Sequence, residues 1–216
     1  MREHSDMGTF RSSAVALVLL VGALGPAIPA AADDSIGPGA YRPYHPGIWQ
    51  GLYVGVDGGW GWSGDASGVV GGGLVGYNWQ SKQFVYGVEA DVSAADIGVS
   101  YTAVGFGAVA TASASIDWIT TIRGRFGVLT QPGLLIYGTA GLAIVSWSAH
   151  ASISGMGFGE SFSASGTGTG VVFGVGVEKQ ISETMSARVE YLEFGQSDRI
   201  GDFGVLRAGL NFKFGP

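Results

Sequence analysis

Cysteine is absent from this 216-residue chain, which rules out a disulfide framework, a thiolate nucleophile and a cysteine-ligated metal site. Charge is scarce too. Only 13% of residues are Asp, Glu, Lys or Arg, against about 25% in an ordinary soluble domain. Bases are the scarcer sign: 11 Lys and Arg stand against 17 Asp and Glu, a formal charge of −6. No basic cluster offsets that average, so nucleic acid is excluded as a partner. Long apolar runs are also missing. Past the N-terminal segment, no stretch reaches the roughly 18 residues that a membrane helix needs.

What the chain does have is 46% hydrophobic residues and 39 glycines. A surface poor in charge, built without apolar runs, implies that apolar residues alternate with others. In a bilayer, alternation fits a closed barrel, in which every backbone group pairs between strands.

The N-terminus has the order of a secretory signal peptide. Arg2 and Arg11 precede an apolar run over residues 14–24, and Pro26, Pro29 and the small residues Ala30, Ala31 and Ala32 follow. The run is too short for a membrane anchor and no basic stop follows it. Residues 1–32 are therefore expected to be removed, after Ala32 or, almost equally, after Ala30. Met7 as the true start leaves this reading unchanged. Residues 33–47 contain Pro38, Pro43 and Pro46 and read as an extended periplasmic linker, with His45 a solvated linker residue.

From residue 48 to residue 216 the period is two, and eight strands can be placed. The first puts Leu52, Val54, Val56 and Trp60 on one face and Tyr53, Gly55 and Asp57 on the other. The second puts Val69, Val75, Tyr77 and Trp79 outward and turns at residues 80–83. The third puts Phe84, Tyr86, Val88, Ala90 and Val92 outward, with Glu89 and Asp91 inward. The fourth puts Ile116, Trp118, Ile122, Phe126 and Val128 outward and Asp117, Thr121, Arg123 and Arg125 inward. It turns at residues 130–133, where Pro132 and Gly133 suit a tight turn. The fifth, from Leu134 to about Ser148, is apolar on both faces, and its phase is open. The sixth carries Val171, Phe173, Val175 and Val177 outward and Glu178 inward, before a turn at residues 181–184. The seventh sets Ala187, Val189 and Tyr191 outward, with Arg188 and Glu190 inward. The eighth sets Leu206, Ala208, Leu210, Phe212 and Phe214 outward, with Arg207, Asn211 and Lys213 inward.

Connections after strands two, four and six are short. Those after strands one, three, five and seven read as longer loops rich in Gly, Ser and Ala, the pattern of short periplasmic turns and long external loops. Aromatic residues sit near the strand ends, where interfacial girdles belong. A soluble β-sandwich shares the alternation but does not need Trp and Tyr at strand ends on its apolar face.

The expected lumen set is Glu89, Asp91, Asp117, Glu178 and Glu190 against Arg123, Arg125, Arg188, Arg207 and Lys213. Buried charges persist when paired, and an eight-stranded barrel has room for side chains and little else. A salt-bridged plug is therefore favoured over a charge-selective pore.

Catalytic motifs fail. Gly166-Thr-Gly-Thr-Gly170 lacks the Lys of a phosphate loop and reads as an external loop running into strand six. His150 lies near Ser152, with Glu160 further on, a grouping that in principle could serve a lipid-modifying barrel enzyme. The surroundings are Ser, Gly and Ala, and such spacing is common by chance. No catalytic, cofactor or metal site is expected.

In order, Trp49-Gln-Gly-Leu-Tyr-Val-Gly, Gly72-Gly-Leu-Val-Gly-Tyr-Asn-Trp79, Phe84-Val-Tyr-Gly-Val-Glu-Ala-Asp91, Ile116-Asp-Trp-Ile-Thr-Thr-Ile-Arg-Gly-Arg-Phe-Gly127, Leu135-Ile-Tyr-Gly-Thr-Ala-Gly-Leu142, Gly176-Val-Glu178 and Ser186-Ala-Arg-Val-Glu-Tyr191 resemble the small outer-membrane "porin family" barrels of alphaproteobacteria. That type includes Brucella surface antigens and Bartonella haem-binding proteins. The resemblance implies an all-β, eight-stranded antiparallel up-and-down transmembrane barrel of OmpA-like form in the outer membrane. It implies a contribution to envelope integrity and surface contacts through loops. Haem binding belongs to some members only, and no residue here carries it over beyond His150 as the one plausible loop ligand. Arg207, Gly209, Phe212 and Phe214 resemble the C-terminal signal read by the barrel assembly machinery, with Gly215 and Pro216 following where Phe214 would commonly end the chain. Expected partners are outer-membrane lipid and lipopolysaccharide, the assembly machinery, periplasmic chaperones and a possible external ligand. A small diffusion channel is the alternative function, and a lipid A- or phospholipid-modifying enzyme the second.

Overall fold

The computed structural model describes residues 47–105, 107–155, 158–196 and 202–214. The expected leader and almost all of the linker lie outside the described residues. Eight strands follow one another: β1 (Gly51–Ser63), β2 (Ala66–Ser81), β3 (Phe84–Gly105), β4 (Ala108–Gln131), β5 (Leu134–Gly155), β6 (Phe158–Gln180), β7 (Met185–Gln196) and β8 (Phe203–Phe214). Each pairs antiparallel with its neighbours in sequence, and β1 pairs with β8, closing the barrel. Closure leaves no free edge in the ring, as a lipid-embedded sheet requires.

Alternation decides which side chain faces where. On β3 and β4, Glu89 pairs with Arg123 and Gly87 with Arg125, all inward, while Ala90 pairs with Ile122 and Tyr86 with Phe126, all outward. Val56, Val88, Ile122, Leu142, Phe173 and Val189 stand more than half exposed on the outer wall. Such a belt is stable against hydrocarbon and costly against water. From Trp118 to Val128, β4 rises roughly 33 Å, or about 25 Å across a membrane once tilted by about 40°. Aromatic contacts mark the tight-turn end: Tyr77–Trp79 at 4.8 Å, Trp79–Tyr86 at 5.9 Å and Phe84–Phe126 at 5.8 Å between ring centroids.

The tight turns fall where expected. Lys82 takes the left-handed conformation between Ser81 and Phe84 (φ 54°), and Gly133 does the same after Pro132 (φ 73°). Three of the four expected long loops at the opposite end do not, and the fourth, after the seventh strand, lies outside the described residues. Ser63 pairs with Ala66, Gly105 with Ala108 and Gly155 with Phe158. The Gly-, Ser- and Ala-rich segments are strand. β3 to β6 continue past the ring as a four-stranded sheet, roughly 25 Å long from Ile116 to Ala108. The 166–170 segment, expected as a loop, lies inside β6 and pairs with β5. Small residues satisfy a ladder as well as large ones; composition there resembles a loop because those faces lack lipid to meet.

Register shifts explain one reversed assignment. β3 slips against β4 between Ala94 and Ile97, and β4 slips against β5 between Ile116 and Trp118. An inserted residue flips the phase beyond it. Ile116 is therefore inside the barrel, packed with Ile97 and Ile119, rather than on the lipid face. The open phase of the fifth strand also resolves: Leu135, Tyr137, Ala143 and Val145 are buried inside, and Ile136, Leu142 and Ile144 face out.

Candidate functional site: the barrel interior

Three layers fill the interior. At the tight-turn end, Trp49, Val85, Leu135 and Tyr137 form an apolar cap, with Ile48 and Leu129 against it. The middle holds the charges. Above them, Val70, Ile97, Ile116, Ile119, Ala143, Val145, Val172, Leu192, Phe194, Phe203 and Val205 form a second apolar cluster, in which Phe194 and Phe203 stack at 4.4 Å.

The middle layer is a continuous ion-pair network. Arg123 reaches Glu89, Asp91 at 2.9 Å and Glu190 at 3.1 Å. Arg188 bridges Glu89 at 2.8 Å and Asp57 at 3.1 Å. Arg207 holds Glu190 at 2.8 Å, Asp57 at 3.3 Å and Asp91 at 3.4 Å. Arg125 pairs with Glu178 at 2.7 Å, donates to the Tyr53 hydroxyl at 3.1 Å and lies 4.1 Å over the Tyr137 ring. Tyr53 in turn donates to Glu89 at 2.8 Å. Thr121 donates to Asp91, while Ser186 and Asn211 donate to Glu178. All four arginines and all five carboxylates are buried.

Eight of the ten residues read as lumen charges meet in this network. The other two stand apart. Lys213 donates to the Ile48 carbonyl at 2.7 Å, near the cap. Asp117, carried off the inward phase by the β4 slip, accepts from Ser115 at 2.9 Å and Ser148 at 3.3 Å. Asp57 completes the network instead. Its place on the inward face with Tyr53 and Gly55 was legible in the alternation, although the expected lumen set leaves it out. The five carboxylates exceed the four guanidiniums by one.

The apolar layers were also missed, although a signal existed. Leu192 and Phe194 continue the phase of Arg188 and Glu190, and Phe203 and Val205 that of Arg207. Extending the period past the charges would have found them. At the tight-turn end an open pocket of about 30 Å³, lined by Trp49, Asn78, Glu178, Asn211 and the turn residues Glu183 and Thr184, reaches the network from outside; it holds about a single water.

Of the C-terminal residues, Arg207 points into the network, Phe212 and Phe214 stand on the outer wall, and a side chain at Gly209 would meet Asp57. Gly215 and Pro216 lie outside the described residues. His150 and Ser152 lie on β5 within the projecting sheet, not on a loop, facing Ser113 and Thr111 of β4. On the opposite face, Tyr101, Ala112, Ile153, Glu160 and Phe162 help line an open cleft of about 810 Å³. Among the described residues, no cluster of His, Asp or Glu has the form of a metal site.

An eight-stranded ring, an apolar outer belt and a charged interior define a small transmembrane β-barrel. The family model described as "Outer membrane protein beta-barrel domain" matches residues 16–214, and the chain belongs to that family; its place is the cell outer membrane. It is similar to the 22 kDa outer membrane protein of Rhizobium leguminosarum bv. viciae, 32% identical over 184 residues, 78% of this chain and 79% of that protein. It is also similar to the 31 kDa outer-membrane immunogenic protein of Brucella melitensis, 30% identical over 167 residues, 69% of this chain and 68% of that protein. Among solved structures, the N-terminal β-barrel domain of Pseudomonas aeruginosa OprF shares 16% identity at a TM-score of 0.43, covering 76% of this chain and 98% of that one.

Proposed function

We propose that the protein is a non-conducting, non-enzymatic structural element of the outer membrane that carries a β-sheet into the space outside the cell. The observation that supports this is the layered interior. A charged middle alone could hold a water path, but an eleven-residue apolar cluster closes it above, and beside the apolar cap below it only a pocket of single-water size reaches the charges. The tight-turn end is periplasmic by the usual asymmetry of such barrels, which sets the β3–β6 sheet outside. External contacts then fall to that sheet rather than to loops. If the immunogenic character in the name of the Brucella relative extends to this chain, the sheet is the part an antibody meets. The β8 residues Arg207, Gly209, Phe212 and Phe214 would serve as the assembly signal.

Planar-bilayer recording tests the sealed interior. The refolded chain should add no conductance above the lipid background. Stepwise currents altered by Arg123 or Glu89 substitutions would establish a diffusion channel instead. Unchanged lipid A and phospholipid profiles on expression are expected as well; a change abolished by His150→Ala would restore the enzyme reading.

A further inference from the structure

The outer wall changes chemistry abruptly where the sheet leaves the ring. Along β5 the outward positions read Ile136, Leu142 and Ile144, then Ser146, Ser148, His150, Ser152 and Ser154. Along β6 they read Val175, Phe173 and Val171, then Thr169, Thr167, Ser165, Ser163 and Ser161. On β4 the change follows Trp118, at the slip beside Asp117. The opposite face shows no such change: above the charges it runs through Ile97, Ile116, Val145 and Val172 to Tyr101, Ala112, Ile153 and Phe162.

Register aligns these side chains into rows across three or four strands. Ser115, Ser148 and Ser165 form one row; Ser100, Ser113, His150 and Ser163 the next; Thr102, Thr111, Ser152 and Ser161 the third. Ser115 and Ser148 touch at 3.2 Å. Neighbouring rows lie roughly 7 Å apart and neighbouring strands about 4.8 Å. The rows carry no Lys, Arg, Asp or Glu, and acids appear only at their lower rim, as Asp96 and Asp117. A surface meeting bulk water is ordinarily about a quarter to a third charged. This one is neutral and dense in short groups that both donate and accept.

Its position narrows the partner. The rows begin one step beyond the lipid-facing belt and continue the same wall, so whatever surrounds the barrel at that height is what lies directly above the acyl chains of the outer leaflet. We infer that this hydroxyl face packs against the core saccharide of the surrounding outer-leaflet glycolipid, exchanging hydrogen bonds with its sugar hydroxyls. Phosphate is the poorer match, because no Lys or Arg stands in the rows to receive it. No Trp, Tyr or Phe ring stands within the three rows to grip a single sugar, so the contact is a carpet of weak bonds spread over them. The inference rests on the outward orientation of the sheet proposed above.

The chain's lack of cysteine makes the test clean. Single variants Ser163→Cys on the hydroxyl face, Ala112→Cys on the opposite face and Ile144→Cys in the belt are refolded as full chains. Each is placed in vesicles of phospholipid alone, with lipid A, and with lipopolysaccharide bearing its core sugars. Reaction with a water-soluble maleimide is timed. Ile144→Cys should be shielded in all three; reaction there at the aqueous rate would sink the barrel reading itself. With that control in place, Ser163→Cys should react about tenfold slower in the sugar-bearing membrane than with lipid A, equivalent to about 1.4 kcal/mol, while Ala112→Cys stays within about twofold. Equal rates for Ser163→Cys with and without core sugars overturn the inference, as does shielding that lipid A alone produces. Adding Ser113→Ala, Ser148→Ala and Ser161→Ala to Ser163→Cys should return its rate toward the lipid A value. Shielding undiminished by that loss would mean crowding without recognition and would also overturn it.

Discussion

Arg123→Met is the most informative perturbation of the barrel interior. Methionine keeps most of the side-chain length and removes the guanidinium. Arg123 is fully buried and pairs with Glu89, Asp91 and Glu190. Its loss leaves five carboxylates facing three arginines, with apolar layers on both sides and no solvent to screen them. Removing one partner of a buried ion pair costs about 3–5 kcal/mol, because the remaining charge stays desolvated. Glu190→Gln is the natural second arm, since Glu190 also accepts from Arg207 at 2.8 Å and 3.0 Å. The double variant restores the original excess of a single carboxylate, so its cost should fall short of the sum by about 1–3 kcal/mol. Urea unfolding in detergent micelles, followed through the six tryptophans, reads these costs. With a slope of about 2 kcal/mol per molar, the Arg123→Met midpoint should drop by about 2 M. A drop below about 0.5 M, or a strictly additive double variant, would refute the network as a coupled unit.

Gly59 and Gly58 are adjacent, but only Gly59 should be sensitive to alanine. A Cβ at Gly59 would meet the Leu206 carbonyl oxygen at 2.1 Å, whereas at Gly58 the nearest atom is 3.8 Å away; Gly59→Ala should cost about 1–3 kcal/mol and Gly58→Ala nothing measurable in the same unfolding assay. Ile122→Lys, in the middle of the belt, should cost about 2–4 kcal/mol in a bilayer, while Val104→Lys, beyond the belt on the projecting sheet, should fall within about 0.5 kcal/mol of wild type. Phe194→Ala with Phe203→Ala should destabilise the barrel by about 3 kcal/mol or more, yet planar bilayers should still show no current, because the ion-paired layer beneath remains closed.

Much of this protein is determined by local pattern. Alternation places Ile122 against lipid and Arg123 inside without reference to any other strand, because successive side chains on a strand point to opposite faces. Scarce charge, even strand number and tight turns at Pro132-Gly133 and Lys82-Gln83 follow from the same local rules. Three things needed the tertiary structure. The inward faces of eight strands meet only when the ring closes, so Asp57 and Arg207, 150 residues apart, become partners through topology rather than spacing. The phase flip at Asp117 depends on how β4 slips against both neighbouring strands, a property of pairs and not of single strands; it turned Ile116 inward and Asp117 away from the lumen. The Gly-, Ser- and Ala-rich segments carry little side-chain signal of their own, and only pairing across β3 to β6 makes them sheet. A backbone ladder is blind to side-chain identity, so composition there marked what the surface faces, not whether it folds.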